Sequence, residues 1–254
     1  MEARIIAYLR TAISRRATEK IGPFLASFDR YSDSPFRNYA IPDDGAIPSS
    51  AEVAALVAAY ERRGLTPRLE YAPALAPAVE ATLVDGGFTV EGRLPLMICT
   101  PGSAPDLTVL SGIELILPVT EAEILATLTV QGEAYGASAP PGPEEVTRMR
   151  AFLTAGGILL LARDAATGEP AGAGLCDVPG DGVTELAAVG VRVPFRRRGI
   201  AGAVTARLTR EAFAAGLATV FLMASGEAEE RIYTRAGFAT TSQILHISRS
   251  PVGS

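Results

Sequence analysis

Arg196-Arg197-Arg198-Gly199-Ile200-Ala201 is the stretch of this 254-residue chain best suited to holding an anion. Three guanidinium groups are followed by Gly199 and the small residues Ala201, Gly202 and Ala203, which keep side chains clear of the backbone. Where a helix begins at such a run, its first N–H groups have no partner inside the helix and can close around a phosphate. A solvated basic turn is the bland alternative. The glycines form neither G-x-x-x-x-G-K-[ST] nor G-x-G-x-x-G, so the two common nucleotide loops are excluded.

The flanking pattern puts this run at a strand-to-helix turn. Leu186 to Val193 is apolar and small, and Ile200, Val204 and Leu208 recur every four residues, as one helix face does. Strands are predicted over 158–163, 171–177 and 183–191. The turns Gly168-Glu169-Pro170 and Pro179-Gly180-Asp181-Gly182 between them are short enough to require an antiparallel meander. Before the meander come a strand near 114–118 and a helix opened by the capping pair Thr120 and Glu123, ahead of Ile124, Leu125 and Leu128. A Pro-rich loop, 139–143, then leads to a helix over 144–154 and is a candidate wall of a cleft.

Two segments about 150 residues apart share one plan. The first has a helix over 51–63, an extended run over 67–71, a helix over 76–85, Gly87-Phe88 and an extended run to Cys99. The second has a helix from Ile200 to Ala215, a strand over 218–224, a helix over 227–235, Gly237-Phe238 and a strand to Ile247. In each, the glycine is placed to end a helix in a left-handed conformation and the phenylalanine to fill a core. This order predicts two related domains, 1–104 and 105–254, joined at the Pro/Gly/Ser-rich run 100–105. Where the second copy has its arginines, the first has Asp43-Asp44-Gly45-Ala46-Ile47-Pro48-Ser49-Ser50, whose acidic charge repels phosphate.

An apolar fraction of 48% supports buried cores, and a net charge of −5 argues against general affinity for nucleic acid. No stretch approaches the roughly 20 apolar residues that span a bilayer. Met1 to Lys20 reads as a packed surface helix through Ile5, Ile6, Leu9 and Ile13. Cys99 and Cys176 have neither metal-site nor redox spacing and read as buried, reduced thiols of a cytoplasmic protein. The single His246 follows no G-x-S-x-G serine, and nothing brings it to a cysteine, so it reads as a strand residue.

The element order, Val191 five residues before Arg196, the motif [RQ]-x-x-G-x-[GA] at 196–201 and Tyr233 four residues before Gly237-Phe238 together resemble the GNAT superfamily of N-acetyltransferases. The resemblance covers about 107–248. It implies an α/β fold of two GNAT-like domains in tandem, each a mixed, mostly antiparallel sheet flanked by helices, the N-terminal copy degenerate. It implies acetyl-CoA as co-substrate, no metal, and direct transfer to a primary amine; a small-molecule amine is preferred over a protein terminus because the sequence argues for no broad groove or peptide motif. The diphosphate would lie on the amides of Arg197 to Gly202, with Arg196, Arg198, Gly199, Ile200 and Ala201 in the binding set. The pantetheine arm would pair along Val191, Arg192 and Val193. An amide near Gly190 or Val191 would polarise the thioester carbonyl. Tyr233 falls at the family's general-acid position, and in the first copy Leu83 stands there. Glu185 is the candidate base, directly or through water, with a surface strand residue as the alternative.

The chain departs from the family pattern at Gly226 and Glu229, where an asparagine and a small residue are common. A second class of function fits the same phosphate loop, a non-catalytic acyl-CoA-binding or regulatory module, for which Tyr233 and Glu185 would be useless. Monomer and homodimer are both open, and neither nucleic acid nor membrane is an expected partner.

Overall fold

Helix α1 (Glu2–Ile13) buries Ile5, Ile6, Leu9 and Ile13 on one face, as their spacing requires. It stops there in place of running to Lys20. The next residues form strand β1 (Ala17–Ile21), turned by Gly22-Pro23 into an antiparallel partner, β2 (Phe24–Phe28). The structure, a computed structural model, describes residues 1–104, 110–137 and 139–250. Pro105 of the expected linker, Leu107 at the start of the resemblance and Ser138, just before the Pro-rich loop, lie outside the described residues.

The remaining elements are β3 (Ala40–Pro42), α2 (Ser50–Glu61), β4 (Arg68–Tyr71), α3 (Val79–Asp85), β5 (Thr89–Cys99), β6 (Ile113–Ile116), α4 (Glu121–Ala134) and α5 (Pro143–Thr154). They are followed by β7 (Ile158–Asp164), β8 (Pro170–Cys176), β9 (Val183–Val191), α6 (Ile200–Ala214), β10 (Thr219–Met223), α7 (Glu227–Arg235) and β11 (Ala239–Ser248). The fold is mixed α/β. The chain divides into two compact units, one of 1–96 with 241–254 and the other of 97–240, so most of β11 lies in the first unit.

In the first unit the strand order is β1-β2-β3-β4-β11-β5. Strand β3 is antiparallel to β2 and parallel to β4, with α2 as the crossover, and β11 is antiparallel to β4. His246 sits in β11 opposite Glu70. The buried Arg68 holds this region, reaching Glu91 at 3.0 Å, the Pro35 carbonyl at 3.3 Å and His246 Nδ1 at 2.9 Å, and pairing with Glu70. Burial, offset in part by Glu70, holds the His246 imidazole below its ordinary value.

In the second unit the order is β10-β9-β8-β7-β6. Strands β6 to β9 form an antiparallel meander, and α6 crosses from β9 to the parallel strand β10. Ile200, Val204, Leu208 and Ala212 of α6 pack with Leu160, Ala162, Leu186 and Leu222, each large apolar side chain contributing about 1.5–3 kcal/mol. Gly172 and Gly174 of β8 admit the helix: a Cβ on either would stand 2.7–2.9 Å from Ile200, Val204 or Leu208.

The sequence repeat extends to backbone hydrogen bonds. Gly87 and Gly237 both have φ of 84°, and Phe88 and Phe238 each donate their N–H to the residue five earlier, Leu83 and Tyr233 respectively, at 3.0 Å. Both helices thus end in the same left-handed cap. Tyr233 and Leu83 hold the same position in it.

Candidate active site

Every helix start needs acceptors for its first N–H groups, and α2, α4 and α5 supply their own. Helix α2 is capped by Ser49, with Glu52 reaching back to the Ser49 N–H at 2.7 Å; α4 is capped by Thr120 and Glu123 in the same way. In α5, Glu145 reaches back to the Gly142 N–H at 2.9 Å. These bonds hold the Glu52, Glu123 and Glu145 carboxyls below their ordinary values.

Helix α6 differs from these three. Its N-cap is Gly199 at φ 79°, with no side-chain cap, as in α1, α3 and α7, and its third residue, where α2, α4 and α5 carry glutamate, is Gly202. The preceding Arg197 is also left-handed, at φ 63°. Turn backbone that includes left-handed residues directs successive N–H groups into one concavity, a form suited to anions. The three arginines diverge from it: Arg196 Nε donates to the Val191 carbonyl at 3.1 Å, Arg197 lines the cavity beside the helix, and Arg198 turns away over the Phe195 ring at 5.5 Å.

That cavity, of about 640 Å³, lies within the second unit. It is lined by Val189, Gly190 and Val191 of β9, by Arg196, Arg197 and Gly199 to Ala203 at the turn and α6, and by Glu229, Ile232, Tyr233, Arg235 and Ala236 of α7, with Leu110, Ala134, Tyr135, Phe195 and Ala206 completing it. It opens where two parallel strands part. The pairing of β9 with β10 runs only from Val183↔Thr219 to Glu185↔Phe221. Beyond Glu185, β9 carries a bulge at Ala188, φ 52°, in its ladder with β8.

The bulge is held from α4. Gln131 Nε2 donates to the Ala188 carbonyl and the Tyr135 hydroxyl to the Val189 carbonyl, each at 3.2 Å. Gly190 is required because α4 ends against it: a Cβ there would stand 2.5 Å from that of Ala134. The Arg192 N–H donates to Ala171 of β8 at 2.9 Å, so alternation points the Val191 N–H and carbonyl toward the parted edge. Val189 and Val191 carbonyls already accept one bond each there, and each keeps a second lone pair.

The structure thus gathers Gly190, Val191, Arg196, Arg197, Gly199, Ile200, Ala201, Gly202 and Tyr233 around one cavity. Arg192, Val193, Arg198 and Glu185 do not line it. Arg192 is spent on Glu133 at 2.7 Å and Glu169 at 3.0 Å, and Val193 is 71% exposed. Glu185 follows the alternation of β9: its neighbour Leu186 packs against the α6-side core, so Glu185 faces the α4 side.

Tyr233 is buried, its ring 6.4 Å from that of Phe238. Burial, reinforced by Glu229 and then Tyr135, raises its hydroxyl well above the ordinary phenol value. Tyr135 is raised by desolvation and by Glu229. The sequence gives no role to Tyr135, because its place depends on where α4 ends against Gly190. Glu229 is visible only as a departure from a motif. No group of three or more His, Cys, Asp or Glu side chains among the described residues could hold a metal ion, and no described helix is long and apolar enough to cross a membrane.

A meander, a parallel crossover strand and an uncapped helix start beside the parted edge define an α/β domain with one cavity at the strand-to-helix turn. Residues 125–238 match the family model of the Acetyltransferase (GNAT) family, which supports that family for this stretch. The fold is that of solved GNAT proteins. A GCN5-related N-acetyltransferase from Kribbella flavida is 25% identical with a TM-score of 0.81, over 99% of this chain and 96% of that one. Another from Sphaerobacter thermophilus is 19% identical, TM-score 0.68, over 91% and 79%. A tandem GNAT protein from the clavulanic acid biosynthesis pathway is 12% identical, TM-score 0.65, over 96% and 89%. No curated protein matches the chain at a significant level.

Cys99 and Cys176 are free and buried, and burial pushes the Cys99 thiol up to about 11 and that of Cys176 higher still. Since the thiolate is the reactive form, neither is expected to react with a disulfide reagent near neutral pH until the protein unfolds. Titration of the native chain, then of the denatured chain, checks this; a fast native reaction would contradict the burial.

Proposed function

We propose that this protein is an acetyl-CoA-dependent N-acetyltransferase that moves an acetyl group directly to a primary amine of a small molecule in a ternary complex. The observation carrying this reading is the uncapped start of α6, opening into the cavity that Tyr233 and the parted edge of β9 also line. The amides of Gly199 to Gly202 and the guanidinium of Arg197 suit a diphosphate. The Val191 N–H, on the parted edge, suits the thioester carbonyl as a single donor. Tyr233, kept protonated by its surroundings, donates to the departing thiolate. Glu185 does not line the cavity, so any proton it receives passes through water.

In the first unit the corresponding helix, α2, is closed by its own Ser49 and Glu52, and Leu83 replaces the tyrosine. This supports a degenerate N-terminal copy without a coenzyme site. The test is release of free thiol from acetyl-CoA across a panel of amines, readable directly because the protein's cysteines are masked. Turnover with at least one amine is expected. Absence of turnover alongside a rise in melting temperature with acetyl-CoA would replace the enzyme by an acyl-CoA-binding module.

A further inference from the structure

Glu229 is the carboxylate among the described residues that line the cavity, and Tyr135 and Tyr233 share that cavity with it. The cavity therefore carries both charges: Arg196, Arg197 and the α6 start line one part of its wall, and α7 brings Glu229 and Arg235 to another, together with the two phenols. Glu229 is the third residue of α7, and its Oε2 accepts the Ser225 N–H at 2.9 Å. That bond is the ordinary work of a glutamate at a helix start. It also fixes the carboxylate in place, and a carboxylate has about four lone-pair sites, so capacity is left for a second donor. The influence of Glu229 on both phenols shows that its charge is felt at Tyr135 and Tyr233.

A primary ammonium is the group that matches this wall. It carries three donors and a positive charge; Glu229 supplies the counter-charge, the Tyr135 oxygen and the Val189 carbonyl still have lone pairs, and the two rings offer π faces. Resting on the acetyltransferase reading above, we propose that Glu229 binds the acceptor as its alkylammonium ion and takes the proton that must leave before the nitrogen can attack. The nitrogen lone pair then forms the C–N bond while the C–S bond breaks. The sulfur, receiving that electron pair, takes the Tyr233 hydroxyl proton, and the nitrogen's remaining excess proton returns to the phenolate. The net products are the acetamide, the free thiol and one proton, which Glu229 passes to solvent. The acceptor class is thus an alkylamine cationic at neutral pH.

Glu229→Gln separates this role from helix capping, because glutamine caps at the same position while carrying no charge. With wild-type turnover in hand, the variant is expected to raise KM for alkylamines about 10- to 100-fold. KM for an arylamine, already neutral near pH 8, and the Kd for acetyl-CoA should stay within about twofold. Glu229→Asp should retain the preference for alkylamines over arylamines. An unchanged alkylamine KM, or equal losses with both amine classes, would overturn the assignment and leave the acetyltransferase reading standing. Weaker acetyl-CoA binding in the variant would also overturn it, by placing Glu229 on the coenzyme. Failure of the wild type with every amine would remove the enzymatic reading itself, and this inference with it.

Discussion

Replacing Gly202 with glutamate is expected to weaken acetyl-CoA binding at least ~10²-fold while leaving the protein folded. At the same third position α2, α4 and α5 carry Glu52, Glu123 and Glu145, each folded back onto the N–H groups of its own helix start. Gly202 has room for a side chain, since a Cβ there would meet only Ile232 Cγ2, at an ordinary contact distance of 3.8 Å. The new carboxylate would occupy the amides that α6 leaves open and repel the diphosphate. Charge-assisted hydrogen bonds contribute about 1.5–3 kcal/mol each, so losing two is enough for the stated effect. Calorimetric titration measures it, and circular dichroism checks the fold. Binding within a few-fold of wild type would mean that the anion lies elsewhere.

Tyr233→Phe is expected to lower kcat about 10²- to 10³-fold with acetyl-CoA affinity nearly unchanged. The ring stays buried beside Phe238, so packing is preserved and only the hydroxyl is lost. The pH dependence gives a second sign of the same role. Burial and Glu229 raise the Tyr233 hydroxyl above the ordinary value near 10, so the acid form persists as pH rises. Wild-type kcat is accordingly expected to hold through about pH 10.5, where an ordinary phenol would be mostly ionised. Equal turnover in the phenylalanine variant would remove Tyr233 from proton transfer.

The parts of the site that depend on local sequence were legible in advance. The arginine-glycine turn, the four-residue repeat of α6, the Thr120–Glu123 cap and the paired Gly-Phe helix ends are all set by neighbours a few residues away. What was not legible depends on contacts distant in the chain. Ala188 adopts a positive φ that nothing in its residue type suggests, and the donors that hold this bulge, Gln131 and Tyr135, are more than fifty residues earlier. Gly190 is explained by the Ala134 methyl group, which only the docking of α4 brings near. Strands β1 to β3 carry no sustained alternation in their residues, so periodicity does not mark them, and the helix expected to reach Lys20 ends at Ile13. The pairing of β11 with β4 is likewise a choice of partner across some 180 residues, which periodicity cannot encode.

The central claim is that the open amides at the start of α6 bind the diphosphate of acetyl-CoA. A crystal structure of the complex tests it most directly. Phosphate oxygens within hydrogen-bond distance of the Gly199 to Gly202 amides, with the thioester beside Val191 and Tyr233, are the predicted result. Well-defined coenzyme density away from that helix start would contradict the account.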